Sequence, residues 1–343
     1  MRIHTCAPAV RRSDISGVAY GFMASQALFA ALEIGLFSHL AAGSRTVDEL
    51  TGVTGVASNR LRTLLRALVG LGLVVADGRR GYANAPASDR YLVRGAPGDF
   101  GEYFRLQIAQ QIYPALLHLG AGLQGTGSAF GTFTDLLSRP YEARIFTSAQ
   151  HAGSLTAARA LADRVPMGDA GTLLDVGGGS GAFAIALCAR NPKLRATVLD
   201  FPAVIDVARQ YRDAAGLAKR MTLLGGDALH TPWPPDQDVV LMSYLLSAIG
   251  DGEMDVALDK AYASLRPGGL LVVHDFMLDD DEAGPALAAL WFLQYIAYRA
   301  DGVSFSGPSL ATRLVDAGFA ASEGDELIPE ITKVILARKA AAR

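Results

Sequence analysis

The chain has 343 residues, half of them apolar, more than one ordinary core organises, so two domains are expected. Its net charge of −3 gives no electrostatic reason to bind nucleic acid or an anionic membrane. Two cysteines, Cys6 and Cys188, stand far apart with no metal-ligand company. They exclude a disulfide framework and a zinc site, and they suit a cytoplasmic protein. Residues 1–12 lack a signal-peptide core, and no apolar run approaches the roughly 20 residues of a membrane span.

From Ser13 to about Met167 the pattern is mainly helical, and the first domain is assigned to 1–167. Ile15, Val18, Phe22, Leu28, Ala31, Leu32 and Leu36 recur at helical spacing, and Gly35 fits a helix end. Thr46 and Glu49 form a capping box ahead of the next helix, and another follows from Ser58 to Leu71. Residues 72–78 read as a strand entering an Asp-Gly hairpin, with Gly81 and Tyr82 on the return. Helix, helix and hairpin make a winged helix. Its few arginines, on an acidic chain, fall short of the many phosphate contacts that DNA binding needs. The long apolar helices expected at 14–41 and 99–124 are better used in a homodimer interface.

From Gly171 onward strand and helix signals alternate, with strands at 172–176, 195–200, 221–225, 238–246 and 269–276. The second domain, 168–343, is therefore an α/β, doubly wound Rossmann-like sheet that binds ligand at the carboxyl ends of its strands. Phe319–Ser322 and Thr332–Ala337 suggest an antiparallel hairpin at its edge. The first strand runs into Asp175-Val176-Gly177-Gly178-Gly179-Ser180-Gly181. Glycines here let the backbone turn and approach a ligand, and Gly177, Gly179 and Ala182 also fit a dinucleotide loop. Asp175 decides between the two. A carboxylate would repel a pyrophosphate, whereas it suits the ammonium and sulfonium of S-adenosylmethionine (SAM). Asp200 ends the second strand at the distance of a ribose-binding acid, and Gly226-Asp227-Ala228 follows the third.

These motifs, with Leu199-Asp200-Phe201-Pro202 and Leu265-Arg266-Pro267-Gly268-Gly269, closely resemble the plant caffeate-type and bacterial natural-product O-methyltransferases. The resemblance spans nearly the whole chain. It implies an N-terminal winged-helix dimerisation domain, a homodimer with interleaved helices, and SAM held by Asp175, Gly177, Gly179, Asp200, Phe201, Asp227, Ala228 and Ser243. The departure is at the catalytic base. Where that family carries a histidine after the fourth strand, this chain has Ser247-Ala248-Ile249, and none of its six histidines falls there. The family's supporting carboxylate maps to Asp275, and His151 is the candidate for a substitute base.

The segments that in the family surround the acceptor carry Tyr103, Arg105, Gln107, Tyr113, Gln150, Trp291, Tyr295 and Arg299. Their polarity suits a small and anionic acceptor. With no obvious base, the sequence favours methylation of a thioether sulfur, similar to what the methylthiohydroxybutyrate S-methyltransferases would require. O-methylation with a substitute base, C-methylation and a non-catalytic SAM-binding module are the alternatives. The acidic run Asp279–Glu282 reads as a solvated loop rather than a metal site.

Overall fold

The computed structural model describes residues 8–78, 81–125, 133–298, 303–321 and 324–341. Arg79 and Arg80 of the expected wing, and Arg299 of the expected acceptor site, lie outside the described residues.

One unit of the chain extends to Gln111 and the other begins at Ile112. In the first, the helices Arg12–Ala19, Gly21–Glu33 and Leu36–Leu40 replace the single helix expected over 14–41. Gly35 causes the second break, with φ at +66°, a conformation that costs glycine little. The capping box forms as the sequence predicts: Thr46 Oγ1 accepts the Glu49 N–H at 3.3 Å, and Glu49 Oε2 accepts the Thr46 N–H at 2.7 Å. Helices Val47–Thr54 and Ser58–Gly70 follow it. The strands are β1 (Arg45–Thr46), β2 (Val74–Ala76) and β3 (Gly81–Asn84), with β3 between the other two. Leu36, Phe37, Leu50, Leu61, Leu65 and Leu68 close the core of this winged unit.

Residues Arg12–Glu33 correct one expectation, because by length and composition alone this stretch is apolar enough to cross a membrane. Scattered alanines, glycines and serines break the apolar run without lowering its mean hydropathy much. Only 17% of its most apolar window is buried, and Ile15, Val18 and Phe22 are among its exposed side chains. The helix expected over 99–124 is also broken, into Gly101–Tyr103, a π-helix Phe104–Ile112, Tyr113–Leu116 and Leu119–Leu123.

The second unit is built on a mixed sheet of eight strands. They are β4 (Thr172–Val176), β5 (Arg195–Asp200), β6 (Met221–Gly225), β7 (Gln237–Ser243), β8 (Leu265–Asp275), β9 (Phe319–Ala321), β10 (Asp325–Ile328) and β11 (Thr332–Lys339). The order is β10-β11-β8-β7-β4-β5-β6, with β9 also on β11. β4 to β8 pair in parallel, and β11 runs antiparallel to β8. Leu173, Leu174, Val240, Leu241, Leu271 and Val273 are fully buried, as strands covered by helices on both faces require. The division at residue 111 replaces the one expected at 167. The reason is packing: helix Pro140–Arg164 lies along Ala182–Arg190 and Pro202–Ala214, and so belongs with the sheet.

Candidate active site

The sheet order sets β7, β4, β5 and β6 side by side, so the turns after their carboxyl ends form one row. Asp175 and Asp200 come together there. Gly177, Gly179 and Gly181 all have positive φ, between 58° and 79°, which folds the loop back over the end of β5. The N–H groups of Gly177 and Gly178 donate to Leu199 O at 2.8 and 3.3 Å, and that of Gly179 donates to Asp200 Oδ2 at 2.8 Å. A Cβ on Gly178 would stand 2.7 Å from the Asp175 carboxyl carbon and 2.9 Å from Val198, whereas one on Gly179 would meet nothing within 4 Å. The loop is thus packed tightly on the acid side and open above Gly179.

Asp175 is fully buried, and neither carboxylate oxygen meets a donor in hydrogen-bond geometry. Burial pushes its pKa up to about 7, against weak help from the Ala184 N–H and with the Asp200 charge adding to the rise. Asp200 is also raised by burial, to about 6, although the Gly179 and Phe201 N–H groups stabilise its charge. A buried carboxylate so poorly supplied with donors costs free energy that a cationic partner would recover. The ammonium and sulfonium of SAM fit that need, and Asp175, Gly177, Gly179 and Asp200 would hold its methionine and ribose parts. After β6, Asp227 turns one oxygen to the Leu229 N–H at 2.8 Å and the other to exposed His230 at 3.2 Å. Ala228 O accepts from Trp233 Nε1 at 2.8 Å. The Ser243 hydroxyl turns inward to His274 Nδ1 at 2.8 Å.

Near β7 and β8 the chemistry changes. Tyr244 follows β7 with φ at +56°, a strained setting for a tyrosine, of the kind found where a site fixes its backbone. Its ring packs on His274 and Phe276, and Phe276 stacks on Trp291 with 4.5 Å between ring centres. Trp291 is partly exposed, yet its Nε1 is buried with no partner. Ser247 lies in a turn ahead of helix Asp251–Ser264 rather than inside it. Its N–H donates to Asp275 Oδ2 at 3.0 Å, and its hydroxyl lies 3.2 Å from that of Tyr295. Asp275 is fully buried, which pushes it up to about 7 despite N–H groups from Ser247, Phe276 and Leu246.

The histidines fall elsewhere. His274 is a satisfied core residue between Ser243 and Thr332, held down to about 3 by burial. His151, on helix Pro140–Arg164, bonds Ser180 through Nδ1 at 2.8 Å and stacks on Tyr211 at 3.8 Å between ring centres. Burial lowers it to about 4, which makes it a weak base at neutral pH. Gln150 beside it is half-buried, as is Tyr113. In the N-terminal unit, Tyr103 packs with Phe100 and Phe104, and Gln107 is buried. Arg105 is paired with Glu102 at 2.8 Å and Glu33 at 3.7 Å, so its charge is already matched. Among the described residues no group of three or more acids, histidines or cysteines could hold a metal. The serine-tyrosine contact behind Asp275 escaped the sequence reading, since nothing in the spacing from Ser247 to Tyr295 signals it.

A doubly wound sheet whose glycine loop lies against buried acids, joined to a winged-helix unit, defines the class of SAM-dependent methyltransferases. The profile of the O-methyltransferase domain matches residues 123–320, and that of the O-methyltransferase dimerisation domain matches residues 17–94. The chain belongs to the O-methyltransferase family. It is 30% identical to the tetracenomycin polyketide synthesis 8-O-methyltransferase TcmO of Streptomyces glaucescens, across 89% of this chain and 91% of that one. It is likewise 30% identical to the N,N-dimethyltransferase OxyT of Streptomyces rimosus, across 94% of each. The crystal structure of human N-acetylserotonin methyltransferase with SAM superposes with a TM-score of 0.86 at 25% identity, covering 98% of this chain and all of that one.

Proposed function

We propose that this enzyme methylates a hydroxyl group of a small aromatic acceptor. SAM supplies an electrophilic methyl group when bound. Asp175 and Asp200 orient the cofactor through its charged and ribose parts, and the buried strand ends exclude water. The observation that carries the acceptor class is the aromatic wall of Tyr244, Phe276 and Trp291 next to Ser247. A flat ring gains contact area on the partly exposed face of Trp291. The small anionic acceptor expected from the sequence loses support, because Arg105 is already paired. The thioether reading finds no support among the relatives, of which TcmO carries an O-methyltransferase name. A nitrogen acceptor is the second reading, favoured by the OxyT relative and by the lack of a strong base, which a neutral amine does not need.

Ile15, Val18, Phe22 and Met23 on the exposed face of the N-terminal helices support a homodimer, since such a face is buried on a partner in a stable protein. The test of the acceptor class is competition. SAM carrying a deuterated methyl group is offered with phenols, naphthols, hydroxyquinones, arylamines and alkyl thioethers together. Label on a phenolic oxygen supports the reading, and label on sulfur alone ends it.

A further inference from the structure

We infer that Lys260 is a positioning residue for the cofactor's base, its ammonium clamping the turn after β6 so that Asp227 meets the adenine amino group. This role rests on the orientation of the cofactor by Asp175 and Asp200. It is independent of the acceptor.

The strand order assigns the base to this turn. β4, β5 and β6 lie side by side in that order, and each carries an acid at or near its carboxyl end, Asp175, Asp200 and Asp227. The parts of the cofactor run in the same sense, methionine and sulfonium, then ribose, then base. With the first two at Asp175 and Asp200, the base falls beside Asp227. Adenine offers an amino group there, and Asp227 suits it, because one oxygen accepts the Leu229 N–H at 2.8 Å while the other faces exposed His230 at 3.2 Å and keeps a lone pair for a further donor.

Asp227 is fixed by a chain of contacts that ends on Lys260, in helix Asp251–Ser264. The Lys260 Nζ donates to Leu229 O and Thr231 O, both at 2.8 Å, and lies 5.4 Å from the centre of the Trp233 ring. Thr231 passes the constraint back. Its N–H donates to Asp227 O at 2.8 Å, and its side chain covers Gly226 so closely that a Cβ there would collide with the hydroxyl and stand 2.9 Å from Thr231 Cβ. Gly226 in turn donates to Asp200 O at 2.9 Å, which ties the turn to the strand of the ribose acid. Trp233 closes the other side, with Nε1 on Ala228 O at 2.8 Å. A half-buried ammonium thus satisfies two carbonyls of a turn that neither helix nor strand orders. Burial lowers the Lys260 pKa and the Asp227 charge opposes that, so the two side chains share one field.

Titration calorimetry of the full chain with S-adenosylhomocysteine and S-inosylhomocysteine tests the role, since hypoxanthine presents a carbonyl oxygen where adenine presents its amino group. The parent should prefer the adenine ligand by about 10- to 100-fold, the range of a hydrogen bond to a charged group. Lys260→Met keeps the stem over Trp233 and removes the donors. It should cut the preference to about threefold or less, with the affinity for the inosine ligand changed by less than about threefold. Asp227→Asn should erase the preference, because an amide both donates and accepts, and adding Lys260→Met to it should change the preference no further. Trp233→Phe, which loosens the same turn from the other side, should lower the preference part of the way. Equal binding of both ligands by the parent, or a parent-like preference in Lys260→Met, overturns the role. So does an equal loss of both ligands in Lys260→Met, which marks a merely structural lysine, or a further loss on top of Asp227→Asn. Asp175→Asn separates the two levels, since it should weaken both ligands alike. If that variant binds like the parent, the orientation of the cofactor fails and the clamp with it.

Discussion

Replacing Asp175 with asparagine removes a charge while keeping its shape. A pKa of about 7, against the ordinary 3.8, means that the folded apoprotein disfavours the charged carboxylate by about 4 kcal/mol. A carboxyl raised on folding contributes stability that is complete below its unfolded value near 3.8 and is lost as pH rises through 7. The apoprotein should therefore weaken between pH 4 and 7 by at most about 4 kcal/mol from this group, or about 10 °C in Tm for a unit of this size. Asp175→Asn should lack that loss. Cofactor binding should show the opposite slope, because the cofactor's cation pairs with the ionised form. In the parent, S-adenosylhomocysteine affinity should rise up to about tenfold per pH unit towards 7, and in Asp175→Asn it should be weak and flat. Scanning calorimetry of the apoprotein and titration calorimetry with S-adenosylhomocysteine, both across this range, supply the measurements. A variant that binds like the parent, or a parent affinity that ignores pH, would refute the reasoning.

Other expectations are more local. Gly178→Ala puts a methyl group against the Asp175 carboxyl and Val198, and should cost about 1–3 kcal/mol in urea unfolding together with cofactor affinity. His151→Gln should leave the pH profile of kcat unchanged between pH 6 and 8, since His151 is already neutral there, whereas a limb near 6.5 that vanishes in the variant would restore it as the base. Val18→Asp with Phe22→Asp, at exposed positions, should shift the sedimenting species from dimer to monomer without lowering the Tm of the sheet unit. A dimer unaffected by both charges would move the interface elsewhere.

The placement of Asp175, Gly177, Gly179 and Asp200 is legible in the sequence, because strand ends and left-handed turns are written in local residue types. The capping box at Thr46 and Glu49 is legible for the same reason. Engagement is not. Nothing local tells that His151 is occupied by Ser180 and Tyr211, that His274 is sealed between Ser243 and Thr332, or that Arg105 is paired with Glu102. Those partners come from other elements and exist only once the sheet is assembled. The boundary at 111 is hidden likewise, since helix Pro140–Arg164 shows its allegiance only by packing. Strand β10 escapes because Asp325-Glu326-Leu327-Ile328 is too short and polar to alternate clearly.

Methyl transfer to an aromatic hydroxyl is the central claim, and the most direct test follows the label. The full chain is incubated with deuterated-methyl SAM and an extract of cells that make the protein, and labelled products are read by mass spectrometry and NMR. One aromatic product gaining a single deuterated methoxyl group, absent with Asp175→Asn, is the predicted result. Label found only as a sulfonium or on carbon, or no labelled product while the cofactor binds tightly, would contradict it.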